Sequence, residues 1–238
     1  MLRKVKSVVA VALCAVATTV FGIAGVSFSL AAPRLVIPLA VRPWGKALLL
    51  CLGVRLRVGG IENIPREPSV IMYNHQSSVD IPALVASLPG RYKLVMKDEV
   101  LKIPFVGWVS KLNGHFFVSR DGGSGDSRQL KLMARAIREK KQTLVLAPEG
   151  TRSESGKLLD FKKGGFLLAA LSGAPVVPMV IRGGIGVKPK RGPLKTGGEM
   201  SVDFLPPVRA AEGSGGRAAM DMLERETRDA MLRGLEQQ

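Results

Sequence analysis

The sequence predicts an α/β fold: a mostly parallel or mixed central sheet flanked by helices, preceded by a membrane-associated helical hairpin. Three observations carry this reading. Short β-favouring runs recur from residue 70 onward and alternate with helical patterns. Residues 7–32 carry no charge at all. The remaining chain is strongly basic, with 35 Lys+Arg against 19 Asp+Glu and a formal net charge of +16 over 238 residues.

The first 58 residues read as N-terminal membrane-anchoring helices, and 59–238 as a single soluble domain with a sizeable core. Ser7 to Ala32 is long enough to cross about 30 Å of hydrocarbon as a helix. Three readings compete there: a cleaved signal peptide, a membrane span, and a hairpin lying in one leaflet. From Leu35 to Val58 apolar residues mix with Arg42, Lys46, Arg55 and Arg57 around Trp44. That pattern suits a helix lying in the membrane interface, or an amphipathic helix packed on the domain. Gly59-Gly60 and Pro65 to Pro68 punctuate the entry to the core.

Strands are expected at Val70–Tyr73, Tyr92–Met96, His115–Val118, Thr143–Ala147, Val176–Ile181 and Met200–Phe204. Helices are expected at Ile81–Leu88, Arg128–Lys140 and Gly165–Leu171, with an amphipathic closing helix from Arg217 to Leu235. Gly122–Ser127 reads as a flexible loop, and Gly183–Gly198 as a second loop rich in Gly, Pro and Lys.

The chemistry concentrates in Asn74-His75-Gln76-Ser77-Ser78-Val79-Asp80, which follows a buried strand and precedes a helix that takes Pro82 in its first turn. On one helix, residues five apart diverge by roughly 140°; on one strand they lie roughly 16 Å apart. Only a bend between them lets Asp80 reach His75. If it does, the carboxylate holds one ring nitrogen as a donor and leaves the other as a base. A structural His beside a helix-capping Asp is the plainer alternative.

A second strand exit, Leu146-Ala147-Pro148-Glu149-Gly150-Thr151-Arg152-Ser153, offers an acid, a glycine and an arginine. Glycine lets backbone N–H groups approach a ligand, and arginine offers a fork for phosphate. A solvated Glu149–Arg152 pair is the alternative. A third, Gly114-His115-Phe116-Phe117-Val118-Ser119-Arg120, ends in a cation that is either a surface charge or a ligand contact at a strand terminus. His115, inside an apolar strand, reads as structural. Lys97 closes a further expected strand.

Other classes drop away. Two cysteines and two histidines supply neither a disulfide framework nor a zinc cluster, so a metal-free, cofactor-free site is expected. Aromatic residues make up only 5% of the chain, which leaves few stacking platforms for nucleic acid and favours an anionic membrane surface as the basic protein's partner. There is no Gly-x-Ser-x-Gly elbow, no Walker A sequence and no Gly-x-Gly-x-x-Gly fingerprint. A His-Asp pair without a protein nucleophile fits direct transfer.

Taken in order, Asn74-His75-x4-Asp80, Gly114…Arg120, Glu149-Gly150-Thr151-Arg152-Ser153 and Val177-Pro178 match the four motifs of the glycerolipid acyltransferases. The chain most resembles the bacterial 1-acyl-glycerol-3-phosphate acyltransferases. Lys97…Glu99…Ile103-Pro104…Gly107 and Phe161-Lys162-Lys163-Gly164 belong to the same pattern, and the resemblance runs from about Asn63 to Phe204. It implies a glycerol-3-phosphate acyltransferase-like fold and makes 59–238 an acyltransferase domain. It further implies that His75 deprotonates the acceptor's hydroxyl, which attacks an acyl thioester of coenzyme A or acyl carrier protein directly, and that Asp80 orients the imidazole. Glu149 and Gly150 would lie on the acceptor or oxyanion side with Arg152 beside them, Thr151 would also bind substrate, and Arg120 and Lys97 would bind phosphate, with the share of each of the three cations left open. The acceptor would be lysophosphatidic acid; another lyso-lipid or glycerol 3-phosphate is the runner-up, and a non-catalytic lipid-binding protein the alternative of another class. Ser119 departs from the pattern, where an acid often precedes the arginine.

Both acyl donors are cytosolic. Positive charge flanks Ser7–Ala32 on both sides, so the positive-inside rule does not choose an orientation. The chemistry places the domain at the inner membrane with its active site facing the cytosol, behind a monotopic or re-entrant hairpin.

Overall fold

The computed structural model describes residues 2–119, 125–211 and 216–236. A long helix α1 (Leu2–Ala31) leads through a 3-10 turn (Pro33–Leu35) and a widened π-helical turn (Ile37–Val41) into α2 (Arg42–Cys51), giving the expected helical hairpin. The expected helix over Leu35–Val58 does not run that far. Gly53 takes a left-handed backbone (φ +67°) that ends α2, and Val54-Arg55-Leu56-Arg57-Val58 then alternates with the period of a strand. This is β1 (Val54–Gly59), which pairs with the sheet's last strand.

The chain continues as β2 (Val70–Tyr73), α3 (Asp80–Ser87), β3 (Tyr92–Lys97), a 3-10 segment (Asp98–Lys102), α4 (Val106–Leu112) and β4 (Phe116–Val118). Then come α5 (Gly125–Arg138), β5 (Thr143–Leu146), α6 (Lys163–Ser172), β6 (Val176–Arg182), a one-turn α7 (Gly184–Val187), β7 (Gly198–Phe204) and α8 (Gly216–Glu236). Of the expected loop Gly122–Ser127, residues 122–124 lie outside the described residues and the rest belongs to α5.

The seven strands run in the order β1-β7-β6-β2-β5-β3-β4, parallel throughout except where β6 meets β7. The sheet is therefore mixed, with helices on both faces. Period-two alternation sorts the side chains: Ile71 and Tyr73 of β2, Val145 of β5 and Val177, Met179 and Ile181 of β6 enter one core. Val70, Met72, Leu144, Leu146, Val176 and Val180 enter the other. The first core is capped by α2 and α3, the second by α5, α6 and α8. β2 is buried along its whole length.

Because β6, β2, β5, β3 and β4 are mutually parallel, their C-terminal ends share one edge. The residues after Tyr73, Leu146, Val118 and Arg182 all emerge there, together with Lys97 at the end of β3. That edge is where ligands bind in open α/β sheets.

Helix α1 is long and apolar enough to cross a membrane by length and composition, yet it packs lengthwise on the domain. Ser7 Oγ donates to Leu194 O at 3.1 Å, Trp44 Nε1 to Thr18 Oγ1 at 3.0 Å, and Asn113 Nδ2 to Ser29 Oγ at 2.8 Å. Gly22 leaves room for Phe105 where a Cβ would overlap it, and a Cβ on Gly25 would come within 2.8 Å of Val109. The opposite face of α1, including Val8, Val16, Val20 and Ile23, is exposed, as are Trp108 and Leu112 on α4.

Candidate active site

The bend that would let Asp80 reach His75 is present. β2 stops at Tyr73, residues 74–77 carry no regular structure, and α3 begins at Asp80. Asp80 is buried, and its Oδ2 lies 2.9 Å from His75 Nδ1. The same oxygen accepts the backbone N–H groups of Gln76 and Ser77, each at 2.7 Å. Three donors converging on one oxygen fix the carboxylate, and the carboxylate fixes the tautomer: Nδ1 carries the proton and Nε2 keeps its lone pair. Among the described residues nothing bonds Nε2. The His75 side chain is 19% exposed against 1% for Asp80, so the imidazole reaches the surface while its partner does not.

Asn74 anchors this turn. Its amide donates to Ile181 O (2.9 Å) and accepts from Ile181 N (2.7 Å), continuing the β2–β6 ladder with a side chain where the backbone has turned away. Gln76 Nε2 donates to Gly156 O at 2.7 Å, and Ser77 Oγ to Lys188 O at 2.5 Å. The ring of Tyr73 meets the imidazole edge-on, with centroids 5.7 Å apart.

Glu149 faces inward rather than outward. Its Oε1 accepts His75 N–H at 2.8 Å and its Oε2 accepts Leu159 N–H at 2.8 Å. Burial pushes its carboxyl above the usual carboxylate range, opposed by those two backbone N–H groups and by His75. Four residues on, Ser153 N–H donates to His75 O at 2.8 Å. The segment Glu149–Ser153 is thus held at both ends to the backbone of His75, with Gly150, Thr151 and Arg152 as the arc between. Gly150 adopts φ +65°, and a Cβ there would lie 2.8 Å from Lys162 Cε.

His75, Asp80 and Glu149 are therefore brought into one bonded cluster, and Gly150, Thr151 and Arg152 stand beside it. Lys97 closes β3 at the same edge, two strands from β2. Arg120 lies outside the described residues. His115 is structural: its Nδ1 accepts Leu94 N–H at 3.1 Å, and burial, reinforced by Lys93, pushes its pKa down to about 3. The sequence reading missed three contributors: Asn74 as a clamp, Lys162 packed on Gly150, and Gly184, whose Cα faces Asp80. Asn74 and Lys162 lie inside the quoted motifs; nothing in the sequence marks Gly184.

An apolar cavity lies beneath α1, lined by Phe21, Val41, Ile81, Met96, Phe105 and Val109 among others. Ile81 follows Asp80 directly, so the cavity wall begins one residue from the His-Asp pair. No group of three or more His, Cys, Asp or Glu poised for a metal ion occurs among the described residues.

A family model described as Acyltransferase matches residues 55–182, more than half of the chain, and its span starts in β1 and ends with β6. The chain belongs to the Acyltransferase family. Within it, this acyltransferase is 35% identical over 162 residues to the 1-acyl-sn-glycerol-3-phosphate acyltransferase of Saccharomyces cerevisiae, covering 67% of this chain and 53% of that one. It is 33% identical over 173 residues to the Pseudomonas aeruginosa protein of the same name, covering 73% and 66%. The human alpha enzyme of that name is 32% identical over 157 residues, covering 66% and 56%. The matched stretch spans about half to two thirds of these relatives' length. The crystal structure of the 1-acyl-sn-glycerophosphate (LPA) acyltransferase PlsC from Thermotoga maritima superimposes with a TM-score of 0.81 at 26% identity, over 99% of this chain and 98% of that one.

Proposed function

We propose that this acyltransferase moves an acyl chain from a thioester of coenzyme A or acyl carrier protein to the free hydroxyl of 1-acyl-glycerol 3-phosphate, giving phosphatidic acid. The observation that carries this reading is the 2.9 Å contact between His75 Nδ1 and Asp80 Oδ2, an oxygen that accepts three hydrogen bonds, at the C-terminal edge of the sheet. Nε2 takes the hydroxyl proton as the oxygen attacks the thioester carbonyl; the C–S bond breaks, and the imidazolium returns its proton to the leaving thiolate. No acyl-enzyme forms. Asp80 holds the ring and balances its transient charge. Glu149 and Ser153 brace the turn that carries the base. Arg152, Lys97 and Arg120 supply charge for the acceptor's phosphate, with Gly150 and Thr151 lining the same arc, and the apolar cavity beside Ile81 receives hydrocarbon.

The exposed apolar face of α1, continued by Trp108 and Leu112 of α4, supports a monotopic attachment with α1 lying in one leaflet. A helix fastened to the domain near both ends is poorly suited either to perpendicular spanning or to removal as a leader. The cytosolic donors then put the active site on the cytosolic side of the inner membrane, above an anionic lipid surface. A phosphatase fusion after Asn63 reports this topology directly; enzymatic activity of the fusion outside the cytosol would overturn it.

Purified protein assayed against lysophosphatidic acid, glycerol 3-phosphate and other lyso-lipids tests the acceptor. Highest turnover on lysophosphatidic acid is expected, with loss of 10²–10⁴-fold in His75→Ala. A loss below tenfold would remove His75 from the role of general base.

A further inference from the structure

Asp80 uses its two oxygens unequally. Oδ2 takes three hydrogen bonds. Oδ1 is fully buried and has no hydrogen-bond partner among the described residues. What lies against it is Gly184, the first residue of α7: a Cβ at that position would overlap Oδ1 outright, and would stand 3.1 Å from Ser77 Cβ and 3.3 Å from Met200 Cε. The hydrogen that glycine carries along that bond direction points at the oxygen instead.

We infer that Gly184 is a positioning residue for the acid of the His-Asp pair, acting as the wall against which the Asp80 carboxylate is seated. The inference rests on the general-base reading given above. Two features make the contact specific. First, Gly184 does not lie in the left-handed region, unlike its neighbour Gly183 at φ +84°, so an alanine is permitted by its backbone and is barred only by Asp80 and the two side chains beside it. Second, α7 is fastened to the same turn from its other end, since Lys188 N–H bonds Gly184 O at 2.9 Å while Ser77 Oγ donates to Lys188 O. The exit of β6 thus follows the exit of β2 twice: Ile181 pairs with Asn74, and Gly184 backs Asp80.

A methyl group at residue 184 must displace Oδ1. Oδ2 is pinned by two backbone donors at 2.7 Å, so the carboxylate pivots about them and the bond to Nδ1, the longest of the three at 2.9 Å, is the one that opens. The expected result for Gly184→Ala is a fall in kcat of about 100-fold, within the range of general-base contributions, with KM for both substrates unchanged.

Two further variants decide the matter. Gly186→Ala lies in the same one-turn helix, where a Cβ would meet open space, and should keep wild-type turnover. In an Asp80→Ala background the obstructing oxygen is gone, so adding Gly184→Ala should cost no further activity. Should Gly184→Ala alone fail to fold, restored folding in the double variant supports the inference and failure to restore it overturns it. Retention of more than a third of kcat in Gly184→Ala, or losses that multiply with Asp80→Ala, would also overturn it. Full activity of His75→Ala and Asp80→Ala would instead remove the general-base reading beneath it, an outcome that the three glycine variants cannot mimic.

Discussion

Replacing Asp80 with Asn keeps the shape of the site and removes its charge, and the structure sets how much that should cost. Oδ2 accepts two buried backbone N–H groups at 2.7 Å. An amide must present its oxygen to them, because turning its NH₂ inward would set donors against donors. The oxygen that remains there still lies 2.9 Å from Nδ1, so the ring keeps its tautomer. In a serine-protease triad the same exchange costs about 10⁴ in kcat because the tautomer is lost; here that part of the loss is avoided. What disappears, on the proposed mechanism, is the attraction between the carboxylate and the imidazolium formed during transfer. Two unit charges about 3 Å apart attract by roughly 5 kcal/mol at an effective dielectric of about 20, and water reaching the 19%-exposed ring screens part of it. A net loss of about 3–4 kcal/mol corresponds to 10²–10³ in kcat. KM should not move, since the exchange removes an interaction proposed to act in the transition state and leaves the shape of the site unchanged. Initial rates of thiol release from acyl-CoA against lysophosphatidate concentration measure both constants. A drop of 10⁴ or more would mean that the backbone does not hold the amide oxygen in place. A drop below tenfold would mean that Asp80 carries no charge role at all.

Glu149→Gln should destabilise the protein by about 1–3 kcal/mol, because an amide can satisfy only one of the two buried N–H groups, His75 and Leu159, that the carboxylate accepts. Urea unfolding in detergent measures this, and an unchanged midpoint would refute the brace. For His115 the sign of the pH effect follows from a folded pKa near 3, below the ordinary value of 6.5. Below pH 6.5 the unfolded chain takes a proton that the folded chain refuses, so stability falls as pH falls, by about 2 kcal/mol at pH 5. His115→Phe should lower stability at pH 7, through the unpaired Leu94 N–H, yet flatten the decline between pH 7 and pH 5; parallel curves for wild type and variant would refute the assignment.

The strand-turn-helix that carries His75 was legible because its logic is local: an apolar run, a polar break, then a proline in the first turn of a helix. The five-residue spacing left two outcomes open, and the structure contains the bend that joins His75 to Asp80. The partnership of Glu149 with His75 was not legible, since it joins residues 74 positions apart through a backbone N–H that any residue would offer. For the same reason a solvated Glu149–Arg152 pair stood as the alternative, and the burial of Glu149 excludes it. β1 was hidden by composition: Arg55 and Arg57 resembled the cations of an interfacial helix, although their alternation with Val54, Leu56 and Val58 carries a strand's period. Gly184 shows the deeper limit. A glycine kept small by a neighbour 104 positions away looks in sequence like any other residue of a glycine-rich loop.

A rod tied at both ends cannot hinge. Ser7 and Ser29 fasten α1 to opposite sides of the domain, roughly 33 Å apart at 1.5 Å of rise per residue. Any surface on which that rod rests is therefore held at a set height and tilt relative to the domain, and on the proposed function a lipid alcohol drawn from it would meet the imidazole without the enzyme having to find its angle of approach. Loosening either tie should leave the proton-transfer step intact and slow the arrival of substrates drawn from that surface.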